Sequence, residues 1–96
     1  MSDPALLILA SLAESDKHGY GIMEDIERFA QVRLGPGTLY GALSRLEEKG
    51  WIAPVGPAGE RRQPYRLRAA GRRYLQAELA KLELILTAGR TRLEAE

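Results

Sequence analysis

The apolar positions of this chain fall into four helical stretches and one pair of short strands. Asp3, as a side-chain N-cap, and Pro4, at the first helical position, open a helix that Ala5 to Ala13 continue. Leu6, Leu7, Ile8, Leu9 and Leu12 make that helix apolar on nearly every side. One face can meet its own domain, and another calls for a cover that a second subunit supplies most simply. Glu14 to Lys17 is polar and turn-like, after which His18, Gly19, Tyr20 and Gly21 lead into Ile22, Met23, Ile26 and Phe29, spaced as on an amphipathic helix. Two glycines at a helix start weaken it, which points to a place where the backbone meets another surface closely. Val32 to Leu34 predicts a minor strand. Gly35 as N-cap and Pro36 in the first turn then open a third helix that ends at Gly50. Leu39, Ala42, Leu43 and Leu46 share one of its faces, while Thr38, Tyr40, Gly41, Ser44, Arg45 and Lys49 occupy the other.

Trp51, Ile52, Ala53 and Val55 read as one short strand and Tyr65, Arg66 and Leu67 as another, joined through Gly56 to Pro64 into a hairpin with a basic tip. From Ala69 onward the chain is rich in strong helix formers, and Leu75, Leu79, Leu82, Leu86 and Leu93 follow a four-and-three spacing interrupted at Gly89. This order predicts a mainly α fold with a small β-hairpin: a winged helix-turn-helix DNA-binding domain over residues 1–68 and a C-terminal dimerisation helix over 69–96, one compact unit with the first helix. One short domain cannot cover so long a helix. Leu6, Leu9, Leu75, Leu79, Leu82, Leu86 and Leu93 are therefore expected to pair with a second copy, which would set two recognition helices about one DNA turn apart, the alternative for the last-helix leucines being plain core packing against the first helix.

Composition adds limits. Ninety-six residues suffice for one core, and a hydrophobic share of 45% with 28% charged is that of an ordinary folded domain. The absence of cysteine excludes disulfides, thiolate metal sites and thiol nucleophiles. Cytoplasm is the expected compartment, because the longest apolar run, Ala5 to Ala10, is too short to span a membrane and lacks a basic flank. The net charge of +1 is unevenly spread: residues 1–35 hold six acids against three bases, whereas residues 61–73 hold six arginines and no acid. Such a basic patch fits a polyanionic partner, or an ordinary solvated face.

In a helix-turn-helix the second helix of the motif enters the major groove. The third helix fits that role: its start at Pro36, Gly37 and Thr38 leaves the N–H groups after the proline open to a phosphate, with a local cap as the alternative for Thr38, Tyr40 can donate or stack from the same turn, and Ser44 follows one turn on. Packing of Tyr40 against the second helix, and of Tyr20 within the domain rather than on phosphate, are the alternatives. Arg61 and Arg62 would lie over the adjacent minor groove or phosphates. Arg66, Arg68, Arg72 and Arg73 are left unassigned, as solvent-facing or paired. His18, the sole histidine, fits a cap or the surface. No catalytic set, metal-ligand set or phosphate loop stands out, so neither enzyme nor cofactor is expected. A winged helix serving only protein contacts is the competing function, favoured by the small net charge and by Glu47 and Glu48 on the third helix.

Taken together, Ala5-Leu6-Leu7-Ile8-Leu9, His18-Gly19-Tyr20-Gly21-Ile22, Pro36-Gly37-Thr38-Leu39-Tyr40, Leu43, Arg45-Leu46-Glu47, Gly50, Tyr65-Arg66-Leu67 and Gly71 resemble the PadR-like transcriptional regulators in order and spacing. The resemblance runs from about Ala5 to Leu79. It implies a homodimeric winged-helix repressor joined through its first and last helices, bound to an inverted-repeat operator in double-stranded DNA. It further implies release, in many members, by a small and often aromatic effector, and it supports the groove role of Thr38 and Tyr40. Three positions depart from the pattern: Gly35 where a serine cap is common, Gly41 where a proline is common, and Arg68 where a threonine usually caps the last helix. The short last helix places the chain among compact members, whose ligand would sit between subunits, with Trp51, Tyr74 and Phe29 as the aromatics at hand.

Overall fold

The computed structural model describes residues 3–57 and 62–95. Within them the chain runs α1 (Pro4–Glu14), β1 (Lys17–His18), α2 (Gly19–Ala30), α3 (Pro36–Glu48), β2 (Ile52–Pro54), β3 (Pro64–Leu67) and α4 (Ala69–Glu94). The helix ends lie where local chemistry puts them. The Asp3 carboxylate accepts from the Ala5 N–H at 3.0 Å, and His18 Nδ1 accepts from the Gly21 N–H at 3.3 Å to cap α2. The last turn of α2 closes on Gln31 in the left-handed region. Gly35 and Arg68 cap α3 and α4 with no side-chain hydrogen bond. The end of α3 is a Schellman motif: Gly50, at φ 75°, donates to the Glu47 carbonyl and Trp51 donates to the Leu46 carbonyl.

The sheet has three antiparallel strands in the order β1-β3-β2, with Lys17 opposite Tyr65 and Ile52 opposite Leu67. Two expectations are corrected here. The segment read as a turn supplies β1, which at two residues is too short to show a period and exists through its pairing with β3. Val32 to Leu34 forms no strand. Val32 and Leu34 pack half-buried against the core from an irregular connection.

The core gathers on α1, which packs against α2, α3, α4 and β3. Ile8, Leu9, Ile22, Ile26, Leu39, Leu43, Leu46 and Ile52 are buried almost completely, each contributing about 1.5–3 kcal/mol. This corrects two residues expected at a subunit interface. Leu9 (0% exposed) and Leu75 (5%) are spent inside the protomer's own core, because α1 is enclosed on several sides and the first turns of α4 lie against it. Phe29, placed on the apolar face of α2, is 50% exposed near the end of the helix. Beyond Leu75, α4 leaves the body, giving a longest dimension of 56 Å, and continues through Gly89 without a break.

One polar group sits inside this core with its partners. The Ser11 hydroxyl donates to Asp25 at 2.7 Å, and the Lys17 ammonium donates to the Ser11 carbonyl at 2.6 Å while facing Asp25 and Glu14. The cluster ties α1 to α2 and to the strand before it, and it satisfies groups that burial would otherwise penalise.

At the foot of the hairpin the Trp51 backbone is held at both its N–H and its carbonyl. Its N–H ends α3, as above, and its carbonyl accepts from the Arg68 N–H at 2.9 Å, where α4 begins. Gly71 lies directly against that carbonyl, so a methyl group there would collide with backbone. Gly71→Ala should therefore cost about 2–3 kcal/mol, seen as a fall in melting temperature of roughly 10 °C or more. Gly89→Ala, in open space on the same helix, should leave the protein as stable as before or raise stability by about 0.5–1 kcal/mol.

Candidate nucleic-acid interface

Helix α3 divides cleanly. Leu39, Ala42, Leu43 and Leu46 turn into the core, while Pro36, Gly37, Thr38, Tyr40 and Ser44 lie exposed. With Gly35 making no side-chain cap and no acid in the first turn, the N–H groups at the start of α3 face outward at the positive end of the helix dipole. Tyr40 takes the packing role without being enclosed by it. Its ring packs over the α2 backbone at Gly19, yet it stays 51% exposed. Tyr20 is exposed one residue further along α2.

These two tyrosines line an open cleft of about 1000 Å³ between the starts of α2 and α3 and the hairpin, closed on the hairpin side by Arg62, Gln63 and Tyr65. The cleft thus brings together Tyr20, Tyr40 and Arg62 of the expected contact residues. Thr38 and Ser44 lie along the exposed face of α3 outside it, and Arg61 lies outside the described residues. The arginine cluster is partly spoken for. Arg66 grips Asp16 through two nitrogens, at 2.8 and 3.1 Å, and the carboxylate raises the pKa of its guanidinium. Glu27 does the same to Arg33, and Glu78 raises the Lys81 ammonium on α4. Arg68, Arg72 and Arg73 are exposed. His18 serves as the α2 cap described above, at the edge of the same cleft.

Two cleft residues escaped the reading from sequence. Gln63 donates its side-chain amide to the Val55 carbonyl at 2.6 Å and so ties the strands together at the loop end of the hairpin. Tyr65 alternates with exposed Arg66 and shares a strand face with buried Leu67, a period-2 signal too short to read alone. Burial raises the Tyr65 phenol above its ordinary range, and the charges of Glu47 and Tyr40 add to it.

A helix with a buried face, an exposed and acid-free start, and a hairpin flanking it across a cleft is the arrangement of a winged helix-turn-helix fold. The chain belongs to the transcriptional regulator PadR-like family, whose sequence model matches residues 8–77. It is 46% identical over 77 residues to an uncharacterized 37.1 kDa protein in transposon TN4556 of Streptomyces fradiae, covering 80% of this chain but only 22% of that protein. The chain therefore spans about a fifth of the length of that relative. Transcriptional regulator Rv3488 of Mycobacterium tuberculosis is 35% identical over 80 residues, which cover 81% of this chain and 74% of that one. The crystal structure of a PadR family transcription regulator from Clostridium difficile superposes with a TM-score of 0.80 at 28% identity, over 94% of this chain and 97% of that one. The family consists of DNA-binding transcriptional regulators, and the protein is a transcriptional regulator of that family. Among the described residues no helix is long and apolar enough to cross a membrane.

The raised Tyr65 phenol gives a direct check on the cleft. Because the folded state keeps the proton longer than the unfolded chain does, stability is fully present below about pH 10 and falls as pH rises from there through the folded pKa. In an ultraviolet titration of the four tyrosines, one should ionise later than free phenol, and Tyr65→Phe should remove that late step.

Proposed function

We propose that this chain represses transcription as a homodimer, seating the start of α3 from each subunit in successive major grooves of an inverted repeat. The observation that carries the reading is the exposed, acid-free start of α3, with Thr38, Tyr40 and Ser44 along one face and Arg62 across the cleft. Behind Pro36, which has no N–H of its own, the backbone N–H groups of Gly37 and Thr38 would anchor phosphate, the α3 side chains would meet base edges, and Arg61 and Arg62 would neutralise phosphates on the flank. Functionally, residues 1–68 form the reading unit and 69–96 the pairing helix. A cytoplasmic location follows from that role.

The pairing surface we assign is the exposed stripe Leu79, Leu82, Leu86 and Leu93, which have no cover within the described residues of the protomer, together with Leu6 of α1, half-buried against the core. Their spacing suits helix-on-helix packing, and a two-fold pairing would place the reading helices roughly 34 Å apart. The effector included in this reading is a small aromatic molecule held between subunits. Its support is the stacked Trp51–Tyr74 pair, ring centres 4.2 Å apart, with the Lys49 ammonium over the indole.

Fluorescence anisotropy on a duplex from the region upstream of the chain's own gene, beside a scrambled duplex, tests the DNA reading. Saturable preference for the upstream duplex, weakening with salt, is expected. Tyr40→Ala and Arg62→Ala should each lower affinity by about 10-fold or more, the arginine change also flattening the salt slope. Equal weak binding to both duplexes would favour a protein-contact module built on the exposed Glu47 and Glu48. Sedimentation analysis tests the pairing surface separately. The wild-type chain should sediment as a dimer, and Leu82→Glu with Leu86→Glu should yield a folded monomer, since both side chains are exposed in the protomer.

A further inference from the structure

We infer that Gly19 is a positioning residue for DNA recognition: its bare backbone is the seat on which the Tyr40 ring rests, fixing where the phenol stands at the mouth of the cleft. This rests on the reading of α3 as the groove helix and goes one residue further. A Cβ built on Gly19 would stand 2.5 Å from the Tyr40 hydroxyl oxygen, 2.9 Å from Cζ and 3.1 Å from Cε1, so the whole edge of the phenol occupies the space that any side chain at 19 would need. Gly19 is buried although it opens a surface helix, and Tyr40 supplies that cover.

Conformation does not require this glycine. Its φ lies outside the left-handed region, as the first residue of a regular helix. An alanine there would gain helix propensity, so what the glycine provides is space. Gly21 supplies the contrast within the same turn: a Cβ there meets nothing nearer than 3.7 Å, at the His18 ring and the Lys17 side chain. The seat is therefore specific to position 19.

The contact also joins the two helices of the motif at the point that faces outward. Tyr40 sits in the second turn of α3, half-exposed, and with its ring held against α2 its hydroxyl has one place to stand relative to the base edges. Released from that seat, the same side chain loses the fixed rotamer that makes a contact selective, at small cost to the fold because the displaced atoms end an exposed side chain.

The test is a double-mutant cycle read by anisotropy on the upstream and scrambled duplexes, with Gly19→Ala, Tyr40→Ala, the pair, and Gly21→Ala as control. Gly19→Ala should melt within a few degrees of wild type, as roughly neutral exchanges do, yet bind the upstream duplex on the order of tenfold more weakly. The scrambled duplex should be bound nearly as before, because no charge has changed. In the Tyr40→Ala background the same substitution should change affinity less than about twofold, and Gly21→Ala should bind as wild type. Unaltered affinity of Gly19→Ala, with the wild type still selective, would overturn the seat and leave the DNA reading standing. A loss that persists without Tyr40 would also overturn it, assigning the effect to α2 itself. A wild-type chain with no preference for the upstream duplex would remove both.

Discussion

The peptide at Trp51 is the constraint on which the rest of this structure hangs. Its N–H terminates α3, its carbonyl receives the N–H of Arg68, the residue that caps α4, and Gly71 presses against that carbonyl where no side chain could. Three elements thus meet at the backbone of one residue: α3, the strand β2 that begins beside it, and α4. The indole does the same work on the other side, stacked on Tyr74 of α4 and roofed by Lys49 from the end of α3. Aromatic stacking and a cation over the ring each contribute about a kcal/mol. The larger effect is geometric, since backbone hydrogen bonds and a backbone-to-backbone contact leave little room for α3 and α4 to change their angle.

From that joint the two surfaces of the molecule follow. Helix α1, held inside by Ile8, Leu9 and Leu12 and by the Ser11–Asp25–Lys17 cluster, is the post against which α2, α3 and the start of α4 are stacked. It consumes the inward face of α3 and so leaves outward the face that starts with Thr38 and Tyr40. It also consumes Leu75 and nothing further along α4, whose leucines from 79 onward stay open. A single core therefore fixes which face of α3 and which length of α4 are left open.

Much of this was readable because it is local. The Asp3-Pro4 start, the Gly35-Pro36 start, the His18 cap, the stop at Gly50 and the uncapped Arg68 depend on residues within a few positions of one another, and each appears where the sequence puts it. What escaped depends on distance along the chain. β1 exists because Lys17 meets Tyr65, 48 positions away, and two residues carry no period. Leu9 and Leu75 lie on stripes that looked open because helical spacing gives a face but not how far along the helix the core extends. The glycines at 19 and 21 did announce a close approach. Only the fold shows that it happens at Gly19 alone, and that the approaching surface is Tyr40 of the same chain.

The near-neutral charge, which from sequence weighed against a nucleic-acid partner, carries less weight once the acids are located. Asp16 is held by Arg66, Asp25 lies with Ser11 and Lys17, Glu27 holds Arg33 and Glu78 holds Lys81. These are local neutralisations that leave little field beyond about a Debye length. Glu47 and Glu48 stand at the far end of α3, roughly 13 Å along the axis from Thr38 at 1.5 Å per residue, and the field of Glu47 is felt at Tyr65 beneath the hairpin. The first turn of α3, by contrast, has no acid, and Arg62 lines the cleft beside it. Net charge sums over the whole surface, whereas the contact proposed for α3 involves one end of one helix, and that end is free of acids, with Tyr40 facing Arg62 across the cleft.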